Sequence, residues 1–105
     1  MNFDFSRISG QVTFNDLSNL TQENFIQEID SLKEDMLQVE LPENYLLDVG
    51  WYPSFDISRS FRVFLIKNCD WDYPIYSKTA KDIMTLEQRL EEIVLQLEQS
   101  VWQLP

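Results

Sequence analysis

A chain of 105 residues with 44% hydrophobic content, two glycines and four prolines has the size of one domain and is too apolar to be disordered. Eight Lys and Arg stand against eighteen Asp and Glu, a net charge of −10, which repels phosphate backbones and disfavours nucleic acid as a partner. No histidine and one cysteine are present. This removes the commonest general base, every Ser-His or Cys-His nucleophile arrangement and any internal disulfide.

In chain order, Phe3 and Phe5 alternate, as do Val12 and Phe14, with Ser9 and Gly10 between. Period two around a Gly-containing turn predicts a short hairpin or an irregular strand over residues 2–15. A helix is predicted from Thr21, whose hydroxyl can cap a free N–H, with Leu20 and Phe25 placed as a hydrophobic staple. Phe25, Ile26, Ile29, Leu32, Met36 and Leu37 continue at helical spacing, and the helix should stop near Gln38, ahead of Pro42.

The aromatics concentrate between Tyr45 and Tyr76. Residues 45–52 alternate as a strand that Pro53 ends, and residues 61–67 form a strand apolar on both faces, expected at the sheet centre. After a turn at 68–72, residues 73–79 form a weaker third strand with Pro74 near its start. The last helix should begin between Asp82 and Thr85, with Thr85 and Gln88 as a capping box and Leu86, Leu90, Ile93, Leu97 and Val101 as its inward seam. The expected fold is therefore α+β, a two-layer sandwich in which two helices cover one face of a three-stranded antiparallel sheet, extended by the N-terminal segment if that segment pairs. The order is (β-hairpin)-α-β-β-β-α, in a single domain spanning residues 1–105.

Nothing in the chain has the form of a catalytic apparatus. Both glycines, Gly10 and Gly50, lie outside any phosphate-binding pattern, and the acids lack the spacing of a calcium loop. No metal site and no cofactor is expected, and the chain reads as a non-enzyme. No apolar run is long enough for a membrane span, so a cytoplasmic protein without a membrane partner is expected. Cys69 reads as a small buried hydrophobe or an inert turn thiol.

Charge is unevenly placed. Residues 1–58 carry two cations against eleven acids, net −9, whereas residues 59–81 carry five cations against two acids, net +3. A basic protein is the partner such a field would draw. Asp48 falls mid-strand among apolar residues and needs an answer, for which Arg62 on the next strand is the natural candidate. The segments around 52–60 and 68–74 set aromatics beside acids, a composition suited to clasping a basic surface. Asp48, Trp51, Tyr52, Phe55, Asp56, Asp70, Trp71, Asp72 and Tyr73 are the candidate partner-binding residues. Leu95 and Trp102, off the inward seam of the last helix and seven residues apart, are candidate contacts of a homodimer.

The size, the acidity, the α+β layout and the segments Asp48-Val49-Gly50-Trp51-Tyr52-Pro53 and Asp70-Trp71-Asp72-Tyr73-Pro74 together resemble the small acidic immunity proteins of bacterial toxin systems. The resemblance covers roughly residues 45–97 and carries no motif that assigns individual sites. It implies a non-enzymatic inhibitor that binds and blocks a cognate toxin. The alternative reading is a homo-oligomeric adaptor or subunit of another bacterial pathway.

Overall fold

In Tyr45–Tyr52, side chains alternate between two faces because a strand has a period of two. Leu47, Val49 and Trp51 are fully buried on one of them. Around this strand the computed structural model, which describes residues 1, 3–27, 32–52 and 60–100, builds a five-stranded antiparallel sheet. Its strands are β1 (Gln11–Asn15), β2 (Leu37–Leu41), β3 (Tyr45–Tyr52), β4 (Ser60–Lys67) and β5 (Tyr76–Ala80), in the spatial order β1-β2-β3-β4-β5. A single helix among the described residues, α1 (Ile83–Ser100), follows.

The expected three-stranded sheet with two helices is thus corrected to five strands and one helix. The error lies at Leu37. Leu32, Met36 and Leu37 do recur at helical spacing and are all buried. From Leu37 onward, however, the burial alternates, with Leu37, Val39 and Leu41 inward and Glu40 exposed. Residues 37–41 therefore pair with β3, Leu37 against Val49 and Leu41 against Tyr45. Pro42 then opens a 3-10 turn, Pro42–Asn44, where its missing N–H costs nothing.

The predicted cap at Thr21 is present, but over a turn. Thr21 Oγ1 accepts from the Asn24 amide at 3.2 Å, and Asn24 Oδ1 accepts from the Thr21 amide at 2.8 Å. Residues 22–27 carry hydrogen-bonded turns, and Ile29 of the predicted stripe lies outside the described residues. The N-terminal hairpin is corrected too. A 3-10 turn, Ser6–Ile8, replaces its first arm, and β1 pairs with the distant β2, Gln11 against Glu40, through a bulge between Val12 and Phe14.

The β3–β4 register is unbroken over eight pairs, from Tyr45 with Lys67 to Tyr52 with Ser60. β5 begins at Tyr76, three residues later than expected, and pairs Ala80 with Phe61 and Tyr76 with Leu65. β4 is interior, with β3 and β5 on its two sides.

α1 packs over β4, β5 and the Ser6–Ile8 turn. Ile83, Leu86, Leu90, Ile93, Val94 and Leu97 recur every three or four residues and are all buried, each worth about 1.5–3 kcal/mol of transfer free energy. Val101 lies outside the described residues. Arg7 ties the N-terminal segment to the helix through Glu91 at 2.9 Å and Glu98 at 2.5 Å. The helix starts at Ile83, inside the expected Asp82–Thr85 range, but its cap is not the Thr85 box. Asp82 is its N-cap, accepting from the Thr85 amide at 2.8 Å, while Gln22 accepts from the Met84 amide at 2.8 Å.

The main hydrophobic cluster lies on the helix side of the sheet. Trp51 packs edge-on against Phe61 with ring centroids 4.8 Å apart, and Phe25 closes on both rings.

Candidate functional site on the open face of the sheet

The opposite face is covered by no described helix, and the register states what it carries. Phe14, Gln38, Asp48, Phe64 and Ser77 form one row across all five strands. Glu40, Leu46 and Ile66 form the next row toward one end, and Arg62 and Tyr52 lie toward the other. This face is half apolar: Ile66 is fully buried there although it stands outside the main core cluster.

A backbone arch borders the face. Met36 donates its amide to Val49 O at 3.0 Å, and Trp51 donates to Lys33 O at 2.8 Å. The residues between, Glu34 and Asp35, bulge out against Gly50. A Cβ on Gly50 would stand 1.8 Å from the Glu34 carbonyl oxygen, so only glycine lets the arch approach this closely. The consequence is chemical, because the arch brings the acids Glu34 and Asp35 to the same patch as Asp48.

Asp48 is 3% exposed. Its expected partner, Arg62, does not pair with it. Gln38 Nε2 donates to Asp48 Oδ1 at 3.2 Å, while the Arg62 guanidinium lies 5.4 Å over the Tyr52 ring. Gly50 stands opposite Arg62 in the register, which puts Arg62 one row away from Asp48. Burial holds the Asp48 carboxyl above the ordinary carboxylate range; Gln38 opposes this, and the Asp35 charge adds to it. The Tyr52 phenol is likewise raised, chiefly by burial, then by Asp48, Glu34 and Asp35, against a smaller opposing effect of Arg62. Two groups on one patch therefore both sense an excess of negative charge. A shallow groove of about 210 Å³ beside them is lined by Phe14, Asp35 and Gln38. Lys33 lies 5.9 Å over the Phe14 ring but is held by Asp16 at 2.6 Å.

The remaining candidates are dispersed. Trp51 is fully buried on the helix side, so its large ring anchors the core and is closed to a partner. Asp70, Trp71, Asp72 and Tyr73 are exposed in the connection between β4 and β5, Tyr73 at 79%. That connection leaves the end of β4 opposite to the one that holds Tyr52. Eight strand residues separate the two ends, roughly 25 Å at the usual rise, so one clasp built from both segments is replaced by two separate ends of one sheet. Phe55 and Asp56 lie outside the described residues. Leu95 is exposed on α1, and Trp102 lies outside the described residues.

Cys69 is exposed, at a turn where Asn68 and Cys69 both have positive φ, 55° and 60°. Asn44 Nδ2 donates to Asn68 Oδ1 at 3.1 Å and links this turn to the β2–β3 connection. A second groove of about 350 Å³ lies here, lined by Glu40, Leu41, Asn44, Tyr45, Leu46 and Cys69. Among the described residues no three metal-ligating side chains gather, and no helix is long and apolar enough to cross a membrane.

Sequence reasoning missed Phe14, Glu34, Asp35 and Gln38. The available signal was the alternation of residues 37–41, which places Gln38 beside Asp48 once that segment is read as a strand. No family model, curated protein or solved structure matches this chain.

Proposed function

We propose that this protein is a non-enzymatic binding module for a basic protein, of the inhibitor or immunity kind, and that it binds through the open face of its sheet. One observation carries the reading: Glu34, Asp35 and Asp48 converge on a partly apolar patch where Arg62, among the described residues, is turned onto Tyr52. A patch that combines aromatic rings with acids that no described cation pairs favours a Lys or Arg set in an apolar surround. Phe14, Tyr52 and Phe64 supply the apolar component. The exposed Trp71 and Tyr73, beside Asp70 and Asp72, form a second aromatic-acidic surface at the far end of the sheet for a partner large enough to reach it. Strong acidity of the whole chain, net −10, would steer such a partner in from a distance.

The test is affinity capture from the native cell with the wild type and with the double variant Glu34→Gln, Asp35→Asn. The wild type is expected to retain a basic protein, and the variant to lose it. Capture of a basic protein by both to the same extent would remove the patch from the interface. Retention of no basic protein by the wild type would remove the function.

A further inference from the structure

The two edges of the sheet are treated differently. At β5 the edge is guarded: Lys78 lies within the strand, Lys81 just beyond it, and Arg89 Nε donates to the Thr79 carbonyl at 3.2 Å. Lysines on an edge and side chains that occupy its carbonyls are the usual means of preventing another strand from pairing there.

β1 has none of these. It reads Gln-Val-Thr-Phe-Asn, without a charge or a proline, and all five residues are exposed. Val12 and Phe14 are 44% and 38% exposed. Among the described residues the one side-chain bond at the bulge, Thr13 Oγ1 to the Gln38 carbonyl at 3.3 Å, points inward to β2. No described residue bonds the outer edge of β1. β1 also stands next to the acidic patch, since Phe14, Asp35 and Gln38 line one groove. Glu40 stands opposite Gln11, and the nearby Lys33 is held by Asp16.

We infer that β1 is a strand-addition edge, which takes an extended basic segment of the partner as a sixth strand and seats a Lys or Arg of that segment in the groove beside Asp35. This rests on the basic-partner reading above and specifies how that partner is held. In strand addition, main-chain hydrogen bonds to the edge supply affinity and alternate side chains supply specificity. Charge selects the occupant. A second copy of this chain would bring another net −10 to an acidic edge, whereas a basic segment is attracted to it.

The experiment uses the full chain and a blocked peptide of about seven residues, a common strand length, in which Lys and Val alternate. Its twin carries N-methyl groups on alternate amides, which keeps the charge and deletes the hydrogen bonds that strand addition needs. The wild type is expected to bind the first peptide and to gain hydrogen-exchange protection at residues 11–15. The twin should bind about tenfold more weakly, the equivalent of losing one or two net hydrogen bonds. V12K/F14K, which installs the missing edge charges, should weaken binding at least as much with an unchanged circular dichroism spectrum. The same two charges on the exposed side of α1, M84K/Q99K, should leave binding as it was.

Equal binding of the two peptides, or equal losses in both lysine variants, would overturn strand addition and leave attraction by charge alone, with the basic-partner reading intact. Failure of the first peptide to bind would also overturn it, and the capture experiment would still decide the wider reading. A wild-type mass of two chains that falls to one in V12K/F14K would place a second copy on the edge and overturn the basic occupant.

Discussion

At the scale of single residues, Gly50 and Asp48 set the open face. The φ of Gly50 is not positive, so its requirement is spatial, imposed by the Glu34 carbonyl. Gly50→Ala must push the arch away and break the Trp51-to-Lys33 and Met36-to-Val49 hydrogen bonds. A loss of about 2–3 kcal/mol is expected, read from urea unfolding, and a change under about 0.5 kcal/mol, the size of an ordinary surface substitution, would show that the arch yields freely. Asp48 has the opposite sign. Its folded pKa is raised, mainly by burial. The fold therefore favours the protonated acid, and that contribution is complete below the unfolded value and lost as pH rises through the folded one. Asp48→Asn keeps an oxygen for Gln38 and removes the charge. It should be more stable than wild type by about 1 kcal/mol at neutral pH, and the difference should shrink toward zero below about pH 4, the ordinary carboxylate range. Unfolding titrations at acidic and neutral pH check this. A variant less stable than wild type at neutral pH would mean that a cation stabilises the carboxylate.

At the scale of elements, α1 depends on its first turn. Asp82 bonds the Thr85 amide, and this bond, backbone first and side chain second, holds the Asp82 carboxyl below its ordinary range. A depressed acid contributes stability above its unfolded pKa and loses it as pH falls through the folded one. Asp82→Ala should cost about 1 kcal/mol at neutral pH, with the deficit closing in acid, whereas Thr85→Val should cost less because it removes only the smaller, side-chain contribution and leaves the amide bond in place. Thermal unfolding of the two variants distinguishes this cap from the Thr85-Gln88 box that the sequence suggests. The comparison shows what kind of element is legible. β3, β4 and α1 were readable because each repeats its period for eight residues or more. β2 was not, since its five residues begin inside a helical stripe, with Leu37 serving both periods. β1 gave a period-two hint at Val12 and Phe14, but its bulge and its distant partner have no local signature. Losing β2 also lost Gln38, and with it the partner of Asp48.

At the scale of the whole molecule, charge and topology act together. The acids of the N-terminal half come to the open face because the 33–36 arch turns back along β3, a placement that sequence counting could not reveal. Four of the five cations of residues 59–81 lie in described structure: Arg62 over Tyr52, Lys67 over Tyr45 at 4.7 Å, Lys78 on the β5 edge and Lys81 just beyond it. Two of these four are thus drawn onto rings of β3, and the other two stand at the far edge from β1. Asp16, Glu34, Asp35 and Glu40 lie on the β1–β2 side with Lys33 among them, whereas at β5 Lys78 and Lys81 offset the nearby Asp70, Asp72 and Asp82, so a basic partner is guided toward the β1–β2 side as well as attracted. Between low and physiological salt the Debye length contracts from about 30 Å to about 8 Å, which removes long-range guidance and leaves close contacts largely in place. The association rate of a basic partner should therefore fall by about tenfold or more over that range while its dissociation rate changes far less, as stopped-flow binding at several ionic strengths would record. The Lys-Val peptide serves as a first probe. An association rate indifferent to salt would mean that the acids govern solubility alone, and the orientation of the field would then have no part in recognition.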